Sequence, residues 1–423
     1  ALWQDPGYPR RQHVEACLPV VTGYSAPMVK HGLDTLLAGF RADALWTLLR
    51  AELGDPRVLD AFRPRRDAGG LSRAFGPRLI SHVFSGNVPG LPAWSLICAL
   101  LTKSASLGKV ASEEPLFAVH FARSLAEVCA ELGECLAIAW WKGGEQSLED
   151  VAFSAADAVI AYGSDTATAR IRERVPADTR FLAYGHRLSF AFVAREALGR
   201  ERAPDLAAQL AYAVSVYDQQ GCVSPHLVYV EDGGELDAAA FAELLAEQMA
   251  QLQTRFPRGA IPLEESSAIR HLRGEYEFRE LAGEPVRVYA SPAGTSWTVL
   301  YEADETFTAS CLNRTVRVHP IASLAELRRR LEQVRAYLQS AGVACPESRL
   351  TEVAECFAQA GLCRISSIAR MPWPGMAWHH DGRGNLLDLL RWCDVEPDAL
   401  TAAVNGSDTL QDDPAQAIQG RVR

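Results

Sequence analysis

A lone cysteine, Cys222, follows Asp218-Gln219-Gln220-Gly221 at the point where a helical pattern gives way to the apolar run His226–Val230. A thiol in such a turn suits attack on a carbonyl. Backbone N–H groups or a helix end lower its pKa when no carboxylate opposes the charge, and the preceding glycine leaves room for a substrate to approach. Taken alone, a cysteine is as readily a small core side chain. Asn87 lies in the glycine-framed Gly86-Asn87-Val88-Pro89-Gly90. There an amide N–H suits the oxygen that turns negative during such an attack, or merely steadies the turn. Lys109 interrupts the apolar run Leu107–Ala111, where an ammonium is costly to bury unless something engages it; a surface lysine on an edge strand is the plain alternative. Gly163-Ser164 sits between strand-like and helix-like segments, offering free N–H groups and a helix dipole to a pyrophosphate, or a simple N-cap by Ser164.

These residues need elements to carry them. From Arg78 the chain alternates short apolar runs with helical patterns. Strands are expected at Leu79–Phe84, Ser106–Ala111, Cys135–Trp141, Ala158–Tyr162 and Phe181–Tyr184. The third, nearly all apolar, reads as a parallel strand covered on both faces. Pro92 opens a helix through Leu101 that places Trp94, Ile97, Cys98 and Leu101 on one face. Such repetition predicts a doubly wound α/β sheet binding its ligand at the carboxyl ends of the strands. After Ala194 a second α/β unit is expected, with helices over Asp205–Tyr217 and Leu236–Thr254. Strands follow at His226–Val230, Thr298–Tyr301 and Thr315–Val318, and the capping box Ser323-Leu324-Ala325-Glu326 starts a helix reaching to near Gly342. The expected division is residues 1–195 for a cofactor domain, 196–372 for a catalytic domain and 373–400 for a segment returning to the first domain or forming an oligomer contact. Residues 401–423 read as a mobile polar tail.

With 423 residues, 48% of them hydrophobic, and a formal charge of -10, the chain can bury a large core and has no basic stripe for nucleic acid. Ten cysteines without a C-x-x-C pair fit neither a disulfide scaffold nor a zinc site, so a reducing cytoplasm and no metal are expected. The adjacent His379-His380-Asp381 lacks helical spacing for converging on an ion. No run of 18 uninterrupted apolar residues is present, and the first residues lack the blocks of a signal peptide.

Four strings, in this order, resemble the LuxC-type acyl-CoA (fatty acid) reductases of the aldehyde dehydrogenase superfamily. They are Ser85-Gly86-Asn87-Val88-Pro89-Gly90-Leu91-Pro92, Leu100–Leu107 with Lys109, Asp218–Cys222, and Trp378-His379-His380-Asp381-Gly382. The resemblance implies an aldehyde dehydrogenase-like fold with a Rossmann-type cofactor domain. It also implies reduction of an acyl-CoA or acyl-carrier thioester to the aldehyde through a thioester on Cys222, with Asn87 at the oxyanion. It places Lys109, Ser112 and Glu113 at the adenosine ribose of NADPH, NADH remaining open, and Gly163, Ser164 and Gly185 near the cofactor. Ala183 stands where hydrolytic relatives carry the glutamate that activates water, so a thioester would persist. His186 and Arg187 are left between a cofactor phosphate and a bound thiol group, and His379-His380-Asp381 is expected over the active site or between domains. An acyl-activating synthetase as partner and a homo-oligomer follow from the resemblance alone. Another acylating dehydrogenase, an acyl-phosphate reductase and an inactive acyl-carrier-binding scaffold are the alternatives.

Overall fold

The alternation of apolar side chains along each short strand decides which helix layer it meets. In the computed structural model, which describes residues 2–66, 68–303 and 307–405, fifteen strands form three sheets among those residues. β1 (Arg63–Pro64) pairs antiparallel with β2 (Leu71–Phe75). β3 (Leu79–Val83), β4 (Ala105–Lys109), β5 (Leu136–Ala139), β6 (Ala158–Tyr162) and β7 (Arg180–Tyr184) form a parallel sheet in the order β5-β4-β3-β6-β7. Leu79 and Val83 pack with Trp141 and Phe153 on one face, while Ile80 between them packs with Ala99 and Leu182 on the other. β5 is an edge strand, and its Ala137 is exposed where cover on both faces was expected. Its apolar composition reflects partial cover on each side rather than burial.

β8 (Leu188–Val193), β9 (Pro225–Glu231), β10 (Val286–Ala290), β11 (Thr298–Glu302), β12 (Thr315–Ile321), β13 (Leu338–Ala344) and β14 (Arg364–Ser367) form the larger sheet. Its order is β10-β11-β12-β9-β8-β13-β14, parallel except for the β10 edge. The chain leaves the five-stranded sheet at Tyr184 and enters this one at Leu188, so β8, inside the expected 1–195 half, belongs to the second sheet. The helix Ala238–Arg255 is started by Asp237, whose carboxylate accepts from Ala240 N at 2.8 Å, and buries Phe241, Leu245 and Met249 on one stripe. The capping box at Ser323 is present, yet its helix ends at Glu332 and residues 338–344 are β13. Leu324, Leu327, Leu331, Val334 and Leu338 keep a helical spacing across the break, which is why the pattern read as one helix.

β15 (Arg391–Val395) returns to pair with β2, and Leu389 joins the core of the five-stranded sheet, so the segment after 373 closes back on the first half. Residues 401–405, expected as tail, continue the helix Pro397–Asn405, and residues 406–423 lie outside the described residues. Three helices, Pro9–Thr22, Ala26–Gly39 and Ala42–Leu53, precede the sheets. In the second, Gly32 is required: a Cβ there would sit 2.2 Å from the Tyr217 hydroxyl. No helix among the described residues is long and apolar enough to cross a membrane.

Candidate active site

Cys222 is held by a backbone that non-glycine residues seldom adopt. The helix Ala203–Ser215 stops two residues short of its expected end, and Tyr217, Asp218 and Gln219 follow with φ of 46°, 51° and 69°. Each left-handed residue costs roughly 1–2 kcal/mol, so three in a row need bracing from outside. A second left-handed run, Leu312-Asn313-Arg314 with φ of 63°, 53° and 63°, supplies much of it. Asp218 Oδ1 accepts from Arg314 Nε at 2.8 Å, and its Oδ2 accepts from Gly259 N at 2.9 Å. Gln219 Nε2 donates to Pro225 O and Thr315 O, while its Oε1 accepts from Thr315 N. Gln220 Nε2 reaches Asn313 Oδ1 at 3.3 Å. Ser189 of β8 donates its hydroxyl to Cys222 O at 2.8 Å.

Asn87 lies at this turn. Its Nδ2 donates to Gln220 O at 2.7 Å, and the Tyr24 hydroxyl donates to Asn87 O at 2.6 Å. One amide proton is thereby committed to bracing, the second remains, and the buried Oδ1 has no hydrogen-bond partner among the described residues. Turn brace and oxyanion donor are therefore compatible roles for one side chain. The site thus lies where the carboxyl ends of β3, β6 and β7 meet the amino ends of β8, β9 and β13.

The surroundings of the sulfur differ from a turn without carboxylates. Asp381, whose side chain is 3% exposed, faces it, bound by Arg187 Nε at 2.9 Å and Nη2 at 2.8 Å and by Gln339 Nε2 at 2.6 Å. Burial first and the Asp381 charge second push the Cys222 thiol up to about 11, against the opposing pull of the Gln339 amide, the residue's own N–H and Arg187. His379-His380-Asp381 was expected over the active site or between domains, and of the three it is Asp381 whose charge acts on the sulfur. Arg187 is thereby an ion-pair partner of Asp381, while His186 is exposed. His380 is buried in a stack, 4.3 Å from the Tyr184 ring and 4.8 Å from Trp378, with Tyr162 beyond Tyr184 at 4.9 Å. Burial holds its pKa down to about 4, so it is neutral. No cluster of metal-ligating side chains occurs among the described residues.

The expected cofactor residues all lie at carboxyl ends of the five-stranded sheet. Lys109 ends β4, half-buried and without a hydrogen-bonded or ion-pair partner among the described residues; burial lowers its pKa, opposed by Glu149 and Glu113. A partly desolvated ammonium with no bonded partner, beside the point where strand order reverses, fits a phosphate or ribose ligand. Ser112 and Glu113 are exposed, and the Trp140 indole donates to Ser112 Oγ at 3.3 Å. Glu114, the third of that run, is structural: buried, it accepts from Leu116 N and Phe117 N at the start of the next helix. Ser164 caps Asp165–Arg174 through Ala167 N, and Asp165 Oδ1 accepts from His186 N at 2.9 Å, close against Gly185. An acid therefore stands in the turn expected to take a pyrophosphate. Ala183 is in β7 opposite Ala161.

Sequence reasoning missed Gln339, Tyr24 and Trp140. An exposed tryptophan beside a strand end was the one signal available in the chain; the others carried none at their own positions.

The family described as Acyl-CoA reductase (LuxC) matches residues 1–392. Over 335 residues the chain is 27% identical to a long-chain acyl-protein thioester reductase of Aliivibrio fischeri, covering 77% of this chain and 66% of the relative. The corresponding protein of Photobacterium phosphoreum is 24% identical over 334 residues, 77% of this chain and 64% of its own. The chain thus spans slightly less than two thirds of these relatives. Among solved structures, an oxidoreductase from Marinobacter aquaeolei superimposes with a TM-score of 0.71 at 14% identity, covering 91% of this chain and 82% of that one. The aldehyde dehydrogenase KauB from Pseudomonas aeruginosa gives 0.70 at 12%, covering 93% and 82%. Both share the fold described above.

Proposed function

This chain belongs to the acyl-CoA reductase (LuxC) family, and from that membership we propose that it reduces a long-chain acyl thioester, on CoA or a carrier protein, to the aldehyde through a thioester on Cys222. The observation that carries the reading is the bond from Asn87 to Gln220 O, which ties a side-chain amide to the turn presenting the sulfur. Sulfur attacks the acyl carbonyl. The second Asn87 N–H and the Cys222 N–H hold the oxygen that becomes negative, a donor there being worth roughly 3–4 kcal/mol of barrier. The carrier thiol leaves with the proton the cysteine lost, so the exchange is balanced in charge.

Lys109, Ser112 and Glu113 take the adenosine ribose of a nicotinamide cofactor, and Gly163, Ser164 and Gly185 border its phosphates. NADPH is the first assignment and NADH the second. A bound nicotinamide would supply the hydride that reduces the acyl carbon. Cys222 would then depart as thiolate while aldehyde forms, taking one proton from solvent to return to the thiol. Water is kept from competing in two ways: Ala183 is no base, and Asp381, whose charge acts on the sulfur, has both oxygens bonded. An acyl-activating synthetase as donor and a homo-oligomer belong to the same reading.

One observation favours a rival, an acyl-carrier-binding scaffold. Burial and the Asp381 charge push the thiol up to about 11, which disfavours the thiolate that attack requires. Acyl-CoA with NADPH separates the two. Loss of nicotinamide absorbance, and an acyl mass on Cys222 when cofactor is withheld, are expected of the enzyme and absent in Cys222→Ala. Reduction at the native rate by that variant overturns the mechanism.

A further inference from the structure

Ser189, near the start of β8, is fully buried and stands where two ladders slip. β9 sets Pro225 against Ser189 but Leu227 against Phe190, which leaves His226 as an extra residue between them. On the other side β13 pairs Leu338 with Leu188 and Ala341 with Phe190, so Gln339 and Ser340 stand against Ser189 alone. An extra residue breaks a ladder locally and re-aims the groups beside it. Here both breaks fall on the one residue of β8 that reaches the turn carrying the sulfur. Its hydroxyl donates to Cys222 O at 2.8 Å and accepts from Ser340 N at 3.3 Å. Neither bond can reverse, because a carbonyl only accepts and a backbone N–H only donates.

Each of the three carbonyls around the thiol is tied down by a different donor. Asn87 Nδ2 holds Gln220 O at 2.7 Å, Ser224 N holds Gly221 O at 2.9 Å, and Ser189 holds Cys222 O. In a trans peptide the N–H points opposite to the C=O, so the same three bonds orient the N–H groups of Gly221, Cys222 and Val223. None of these donates to another described residue. We propose that Ser189 is a positioning residue: it holds the carbonyl of Cys222 inside the sheet, so that the oxygen of an attacked thioester meets N–H groups and not the lone pairs of that carbonyl. Ser189 acts through the acylated residue, and its role therefore rests on Cys222 being the nucleophile of the proposed function.

Two reactions of one sulfur separate this role from packing. Acylation builds a negative oxygen that needs the donors of the turn, whereas alkylation by iodoacetamide builds none. Both are read by mass spectrometry of the Cys222 peptide, after exposure to a long-chain acyl-CoA or to iodoacetamide in separate samples without cofactor. Ser189→Ala is expected to acylate about ten- to a hundredfold more slowly than the parent and to alkylate at the parent's rate, because the donors lose their alignment while the sulfur stays where it was. A residue that merely packs the turn moves both rates together. Circular dichroism checks folding, and Ser189→Gly, which also lacks the hydroxyl, takes the place of Ser189→Ala should that variant unfold. Acylation and alkylation slowed alike, or acylation unchanged, overturns the inference and leaves the proposed function standing. A parent protein that is alkylated at Cys222 yet takes up no acyl group overturns the function reading, and the role of Ser189 falls with it.

Discussion

Arg314 Nη2 lies 2.7 Å from Asp218 Oδ1, and each residue stands in a run of three left-handed residues. The pair is buried, with side chains 1% and 3% exposed, so its charges are little screened and neither can be lost alone without stranding the other. Two segments almost a hundred residues apart in sequence are thereby folded as one clasp around the turn before Cys222.

Replacing Arg314 by Met, or Asp218 by Asn, is expected to cost about 3–5 kcal/mol, the usual penalty for breaking one side of a buried pair. Urea unfolding measures it. A midpoint unchanged by either substitution means the left-handed runs are set by the backbone hydrogen bonds alone.

Asn87→Ala removes the donor to Gln220 O and the second amide proton. We expect the reduction rate per folded molecule to drop about 100- to 1000-fold with cofactor affinity unaltered. A loss of stability with an intact rate assigns Asn87 to the turn only.

Lys109→Met separates binding from folding. Cofactor affinity, followed by nicotinamide fluorescence, should weaken about ten- to a hundredfold through loss of a charged hydrogen bond. Stability should hold or rise, because a half-buried ammonium with no bonded partner is exchanged for an apolar group. Unchanged affinity places the ribose elsewhere.

Three buried imidazoles resist protonation: burial holds His82 at about 3, His226 at about 4 and His380 at about 4. The unfolded chain protonates them near 6.5, so it binds more protons than the folded one between that value and about 4. Stability should therefore be intact above pH 6.5 and decline as pH falls through this window. Each ring contributes a slope of about 1.4 kcal/mol per pH unit. His380→Phe preserves a ring between Tyr184 and Trp378, and in urea unfolding at several pH values its slope should be shallower than the parent's by that amount. Identical slopes mean that the folded protein already carries a protonated His380.

The β-helix alternation from Leu79 to Tyr184 was legible because each parallel strand is a short apolar run and each helix begins at a cap or proline that announces itself locally. Cys222 and Asn87 were legible as a pair through the resemblance, and the structure brings them to one turn. His379-His380-Asp381 was legible through the same resemblance as a segment over the site or between domains, but not which of its side chains would act on the sulfur. Gln339 was not legible, because it lies in a strand of small residues whose leucine spacing continues the helix before it. The left-handed run at Tyr217–Gln219 was equally hidden, since no glycine or asparagine there signals positive φ and only distant partners enforce it. The N-terminal helices were not legible, since none of Tyr8, Ser25 and Arg41 at their starts makes a side-chain capping bond that would announce them.

β15 closes on β2 across more than three hundred residues of intervening chain, and the acid that faces the sulfur lies shortly before that strand. During synthesis, then, the thiol emerges from the ribosome long before the acid whose charge acts on it. A nascent chain carries that cysteine without its acid until the last strand has emerged and can pair with β2.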